Sequence, residues 1–124
     1  RAGGHLDDVR FCPHLPSSLL AEGEAPCRCR KPRPGMVEAA RRDLGIGPEV
    51  PQVTVGDKVA DLDLGSACGT PRVLLLTGEG AATRDALDAA GDLEARTDHV
   101  AADLGAAVPW ILEQLGLAED AGNC

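Results

Sequence analysis

Residues 51–76 read PQVTVGDKVADLDLGSACGTPRVLLL, and their pattern decides the fold. Pro51–Val55 is a short apolar run that stops at Gly56, as a buried strand does. Ala60, Leu64, Ala67 and Cys68 then mark one face of a helix, closed by Gly69. Arg72–Leu76 is the clearest strand in the chain and ends at Thr77-Gly78. Strand, helix and strand in succession call for parallel strands joined by a crossover helix.

The same alternation continues outward. On the C-terminal side a polar helix is predicted near Thr83–Ala90 and a weaker strand around His99–Ala101. Val108, Ile111, Leu112 and Leu115 then recur at i, i+3, i+4 and i+7, a helical stripe. On the N-terminal side Met36, Ala40 and Leu44 fall on one helix face, with Gly45 as terminator. Before them runs a loop rich in Pro, Ser and Gly, and before that Leu6–Phe11 (LDDVRF) reads as a short strand. The expected fold class is therefore α/β with a mostly parallel sheet. In such sheets ligands sit beyond the carboxyl ends of the strands. Gly56-Asp57-Lys58 and Thr77-Gly78 are the two strand ends with suggestive chemistry.

Composition narrows the function classes. A chain of 124 residues is long enough for a single core. One Phe, one Trp and no Tyr leave aliphatic side chains to fill it, and leave no aromatic platforms for stacking nucleobases. A net charge of −8 also argues against a nucleic-acid partner. No apolar run approaches the roughly 20 residues that cross a bilayer, so no membrane partner is expected. Cysteines clustered with a histidine fit a reduced metal site, and hence the cytoplasm, better than a disulfide framework.

That cluster is Cys12, His14, Cys27 and Cys29. Three thiols and one imidazole make a closed tetrahedral set, which reads as structural zinc. The one-residue spacers are tighter than those of zinc fingers, and Cys27-x-Cys29 lacks the two-residue spacer of the common oxidoreductase motif. Ordinary loop cysteines are the bland alternative. The surrounding loop has little apolar content, so metal would supply its order.

Arg28, Arg30, Lys31, Arg33, Arg41 and Arg42 are six of the twelve basic residues, within fifteen positions. Such a local field invites a small anion, phosphate above all. A solvated loop and helix face is the other reading for Arg33, Arg41 and Arg42. Arg30 and Lys31, next to a predicted metal ligand, are the candidates for substrate contact. Val55-Gly56-Asp57-Lys58-x-x-Asp61 sets two acids and a base where a strand turns into a helix. Asp61 alone would read as a dipole-stabilising acid. Beside an anion site, a carboxylate at a strand tip suits Mg²⁺, which offsets phosphate charge.

In this order, CPH…CRCRKPRPGM…VGDKVADL…LLLTG closely resembles the D-glycero-D-manno-heptose 1,7-bisphosphate phosphatase and histidinol-phosphatase branch of the haloacid dehalogenase (HAD) superfamily. The resemblance runs from about Gly4 to Leu115. It implies a Rossmann-like HAD core and a Mg²⁺-dependent phosphomonoesterase that works through an aspartyl-phosphate intermediate. It implies zinc at Cys12, His14, Cys27 and Cys29, substrate recognition by Arg30, and phosphoryl stabilisation by Lys31. It further implies Mg²⁺ at Asp57, a substrate-side role for Lys58 and a supporting role for Asp61. The expected partner is a small phosphorylated substrate, and the full-length form is expected to be a monomer.

The sequence departs from the family in one serious respect. The family's nucleophile and acid/base are the aspartates of an Asp-x-Asp motif on the first strand, well before the zinc loop. Here only eleven residues precede Cys12, Asp7-Asp8 are adjacent, and Asp61-Leu62-Asp63 lies on a predicted helix. The Ser/Thr of the second motif is also absent, and Leu15 stands where relatives often carry a second His. The expectation is an incomplete core: residues 1–124 as the C-terminal part of one phosphatase domain, with 11–35 its zinc- and phosphate-binding loop, and a chain without turnover of its own. Two alternatives stand beside it, a non-catalytic zinc-stabilised module that binds phosphate esters and a histidinol-phosphate phosphatase. A zinc-dependent nucleic-acid binder ranks behind both.

Overall fold

The computed structural model describes residues 4–13 and 27–117. Three strands, β1 (Thr54–Gly56), β2 (Arg72–Leu75) and β3 (His99–Ala101), form a parallel sheet in the order β1-β2-β3. Thr54 pairs in register with Arg72, and Val73 with His99. Among the described residues five helices accompany them: α1 (Gly35–Leu44), α2 (Val59–Cys68), α3 (Gly80–Ala89), α4 (Leu93–Arg96) and α5 (Leu104–Gln114). The α/β class with a parallel sheet is as the sequence predicts.

Alternation along β2 divides the core in two. Leu74 points to one face, where it meets Leu62 of α2 and Leu87 of α3, with Val59, Leu93 and Val100 packed around them. Val73 points to the other, against Ala101 and Ala107, with Val55, Trp110 and Ile111 beside them. Helices on both faces explain why β2 reads as an unbroken apolar run rather than an alternating one. Val73 and Leu74 have 0% of their surface exposed, so Leu74→Ala would cost about 2–5 kcal/mol and Val73→Ala less.

The helix ends follow local chemistry. Gly45 and Gly69 sit at φ +69° and +71°, the left-handed conformation that closes α1 and α2 as their positions predict. Asp103 caps α5 by accepting from the Ala106 amide at 2.8 Å. Arg72 fixes the opposite edge of the sheet. Its backbone N–H donates to Asp98 Oδ2 at 2.7 Å, and its guanidinium reaches both oxygens of the same carboxylate at 3.0 and 3.3 Å.

Two expectations need correction. Leu6–Phe11 forms no strand; Leu6, Val9 and Phe11 lie exposed, and Arg10 ties the segment down by bonding Asp8 at 2.7 Å and Asp43 at 2.6 Å. A strand needs a ladder partner, and this segment has none among the described residues. Between β3 and α5 the His99 ring stacks on Trp110, with centroids 4.8 Å apart and planes 5° from parallel. The α5 stripe is rotated, so Ala107, Trp110 and Ile111 face the core while Val108 is exposed.

Candidate phosphate-binding cleft and thiol cluster

The carboxyl edge of the sheet is where the predicted residues meet. β1 ends at Gly56, and the chain turns at once into α2, so Asp57, Lys58 and Asp61 fall on one tight bend. Asp61 is its hub. The residue is only 7% exposed, and its Oδ2 accepts from the backbone N–H of both Asp57 and Lys58 at 3.2 Å. Its Oδ1 accepts from Lys31 Nζ at 2.6 Å. A side chain on Gly56 would collide with the Asp61 carboxylate, so the bend requires glycine there. Asp61 therefore does more than favour a helix dipole: it holds the turn and the incoming lysine together.

The turn after β2 closes over Asp57. Gly80 N–H donates to Thr77 O at 2.9 Å, and Gly78 takes φ +59°. This aims the Glu79 amide at Asp57 Oδ2, 2.8 Å away, while Thr83 Oγ1 donates to Asp57 O at 2.8 Å. A Cβ at Gly78 would strike that same Asp57 oxygen. One carboxylate oxygen is thus pinned by the backbone. Mg²⁺ that also contacts a phosphate commonly takes one or two protein carboxylates, a demand that Asp57 fits.

Between this bend and the residues before α1 lies a cleft of about 440 Å³. Arg30, Lys31, Lys58 and Asp61 line it, with Arg10 and Cys12 at its margin. The guanidinium and two ammonium groups can grip a phosphate by hydrogen bonds and charge. Lys58 also pairs with Glu79 at 3.2 Å, and that carboxylate, with Asp57 and Asp61 adding to it, raises the lysine's pKa.

The rest of the basic run is structural. Arg33 donates to Cys27 O at 2.7 Å, and Arg41 reaches Gln52 at 2.7 Å and Cys68 O at 3.2 Å. Arg28 pairs with Glu38 at 3.5 Å and Arg42 lies 3.9 Å from Asp43. Only Arg30 and Lys31 of the six enter the cleft, as their position beside Cys29 suggests.

The cysteines converge next to it. Cys12 Sγ lies 3.5 Å from Cys27 Sγ and 3.3 Å from Cys29 Sγ, and none of the three is in a disulfide. Their ligand atoms lie within 4.8 Å of one another. Tetrahedral zinc with Zn–S near 2.3 Å would set sulfur atoms about 3.8 Å apart, so a small outward shift of these three would make one face of such a site. His14, the fourth predicted ligand, lies outside the described residues. Burial pushes the Cys27 thiol up, but hydrogen bonds from Cys12 and the Arg30 backbone outweigh it and bring its pKa to about 6. Cys29 moves the other way, to about 11, through its hydrogen bond to Cys12 and then burial.

The acid pairs considered as nucleophiles are engaged elsewhere. Asp63 takes Arg96 at 2.9 Å, Asp7 contacts His5 at 2.9 Å, and Asp8 is bound to Arg10. Sequence reading missed Glu79 and Arg10 as neighbours of the cleft. Both act over long sequence separations that leave no local pattern.

Comparison with known proteins places this geometry. The HAD-hydrolase-like family matches residues 28–107. The D-glycero-alpha-D-manno-heptose-1,7-bisphosphate 7-phosphatase of Photorhabdus laumondii is 41% identical over 74 residues, 60% of this chain and 40% of that protein. The D-glycero-D-manno-heptose-1,7-bisphosphate 7-phosphatase of Thermosynechococcus vestitus is 36% identical over 119 residues, 92% of this chain and 58% of that protein. The chain thus spans about half the length of these relatives. Among solved structures, the D,D-heptose 1,7-bisphosphate phosphatase of B. bronchiseptica, complexed with magnesium and phosphate, superposes with a TM-score of 0.68 at 33% identity. The match covers 90% of this chain and 55% of that one.

Proposed function

This chain belongs to the HAD-hydrolase-like family, and on that premise we propose that it is the phosphate-gripping part of a Mg²⁺-dependent phosphatase for a small sugar bisphosphate, of the heptose 1,7-bisphosphate 7-phosphatase type. The observation that carries the proposal is the cleft in which Arg30, Lys31 and Lys58 gather beside Asp61, on the bend after β1 that also carries Asp57. The names of the relatives support the substrate class.

In this reading Arg30 and Lys58 bind substrate anions and Lys31 stabilises the phosphoryl group as charge develops on its oxygens. Asp61 keeps Lys31 extended toward the cleft rather than loose in solvent. Asp57 is the chain's ligand for Mg²⁺, which neutralises phosphate charge when bound. Cys12, His14, Cys27 and Cys29 hold structural zinc, and so fix the loop that delivers Arg30 and Lys31. Free thiols of this kind suit a reducing compartment, the cytoplasm.

Phosphoryl transfer through an aspartyl-phosphate intermediate needs a carboxylate aimed into the cleft. Asp8, Asp61 and Asp63 are held in ion pairs and Asp7 contacts His5, and of these only Asp61 lines the cleft. The 124-residue chain should therefore bind phosphate esters without hydrolysing them. Phosphate release from heptose 1,7-bisphosphate by this chain, abolished by Asp57→Asn, would refute that. Supplying the same chain within a longer protein that carries an Asp-x-Asp strand should give turnover at the 7-phosphate. A preference for histidinol phosphate there would overturn the sugar assignment. Binding without turnover in every context would instead support a non-catalytic, zinc-stabilised phosphate-ester module, which the paired acids also favour.

A further inference from the structure

We propose that Glu79 is an internal competitor for the anion site, a specificity-determining residue that occupies Lys58 until an incoming phosphate displaces it. The inference rests on the cleft being an anion site, and it adds the group that sets how strongly that site grips.

Three features of the turn support it. First, the backbone places residue 79 without help from its side chain: Gly78 is left-handed, Gly80 N–H closes the turn on Thr77 O, and the Glu79 amide is fixed on Asp57 Oδ2 at 2.8 Å. The carboxylate is therefore free to serve another purpose, and it reaches Lys58 Nζ at 3.2 Å. Second, other cations of the cleft are also matched within the chain, Lys31 with Asp61 and Arg10 with Asp8 and Asp43. An arriving anion must then compete with resident carboxylates rather than meet bare charge. Third, the pairs differ in how easily they open. Asp61 is 10% exposed at its side chain and has two further hydrogen bonds to lose, whereas Glu79 is 67% and Lys58 56% exposed. Water and salt screen the exposed pair, so it yields first.

The exchange needs no covalent step. Lys58 swings from the Glu79 carboxylate to a phosphate oxygen, and Glu79 turns into solvent. A substrate with a dianionic phosphate over Lys58 displaces Glu79 readily, and a neutral hydroxyl there does not.

Titration of the 124-residue chain with inorganic phosphate at low ionic strength, followed by amide chemical shifts, tests the idea. Glu79→Gln should tighten phosphate binding about twofold to fivefold, the range that a solvent-exposed ion pair commands. The gain should vanish in a Lys58→Gln background and shrink in concentrated salt. Unchanged affinity in Glu79→Gln, or an equal gain when Lys58 is already Gln, would overturn the competitor role while leaving the anion site standing. No phosphate binding in either wild type or Glu79→Gln would overturn the anion site itself, and the competitor with it. A dispersed spectrum for each variant shows that folding is not the cause.

Discussion

Replacing Asp61 with Ala should destabilise the domain more than replacing its ionic partner Lys31, although both changes break the same 2.6 Å contact. The asymmetry comes from what each partner leaves behind. Lys31 is 45% exposed at its side chain, so once released its ammonium returns to water. The ion pair itself then counts at the value of a screened surface pair, about 0.2–1 kcal/mol. Asp61 also serves the Asp57 and Lys58 amides at the start of α2. Losing such a cap costs a further 0.5–2 kcal/mol or so. Asp61→Ala should therefore cost about 1–3 kcal/mol, and Lys31→Met under about 1 kcal/mol, because the carboxylate keeps its two amide donors. Urea unfolding of the two variants and of the double mutant measures both costs and the coupling between them. With an unchanged denaturant slope, differences in midpoint are differences in stability. If Lys31→Met costs as much as Asp61→Ala, or the coupling exceeds about 2 kcal/mol, the contact is a buried pair in the sense of strong desolvation, and capping is not the main role of Asp61.

Further outcomes are expected along the same lines. Gly78→Ala, at φ +59° with its Cβ directed at Asp57 Oδ2, should cost clearly more than Gly45→Ala, at φ +69° with open space around it; thermal or urea unfolding ranks them, and Gly45→Ala should stay near 1 kcal/mol. Purified under reducing conditions, the chain should carry about one zinc by elemental analysis, and Cys12→Ser, Cys27→Ser or Cys29→Ser should each deplete it. Chelation should loosen the segment around residues 27–34 while the amides of β2 stay protected from exchange, because the sheet core makes no use of the thiols. The hydrogen bond from Arg72 holds the Asp98 carboxyl below its ordinary range, so its contribution is complete above the unfolded value near 4 and is lost as pH falls through the lower folded value. The stability gap between wild type and Asp98→Asn should accordingly be flat from pH 5 to 8 and close in acid; a gap that widens below pH 4 would reverse the sign.

Local features of the fold were legible and non-local ones were not. Gly45 and Gly69 mark helix ends because a left-handed residue is a one-position requirement that glycine meets most cheaply. The brief strand His99–Ala101 was faintly legible, since Val100 and Ala101 are apolar, and a parallel pair with β2 gives the segment somewhere to bond. LDDVRF has the composition of a strand, but strands are made by partners, and its charges found Asp43 instead. β1 begins at Thr54, not Pro51, because β2 supplies ladder partners only from Arg72. α4, at four residues, is too short to show a period. In the site, Cys12, Cys27, Cys29, Arg30, Lys31, Asp57, Lys58 and Asp61 are recognisable by residue type and order. The bonds that give them their roles are different, since Lys31 to Asp61 spans 30 positions and Glu79 to Asp57 spans 22.

Those long-range bonds also explain why the grip assembles on so small a sheet. Parallel strands all deliver their following loops to one edge, so Asp57 after β1 and Glu79 after β2 become neighbours whatever lies between them. The Asp57 and Lys58 amides leading into α2 then need an acceptor at that edge, and Asp61, in the first turn, provides it while keeping one oxygen for Lys31. The lysine comes from outside the sheet, from the segment anchored by Cys27 and Cys29. Its placement thus depends on two separate things, the thiol cluster that fixes its origin and the carboxylate that fixes its tip. Under the proposed zinc ligation, chelation should release the first and leave the second. Lys31 would then stay tethered at Asp61 while the segment that carries Arg30 loosens, so phosphate affinity should fall on chelation without the sheet unfolding.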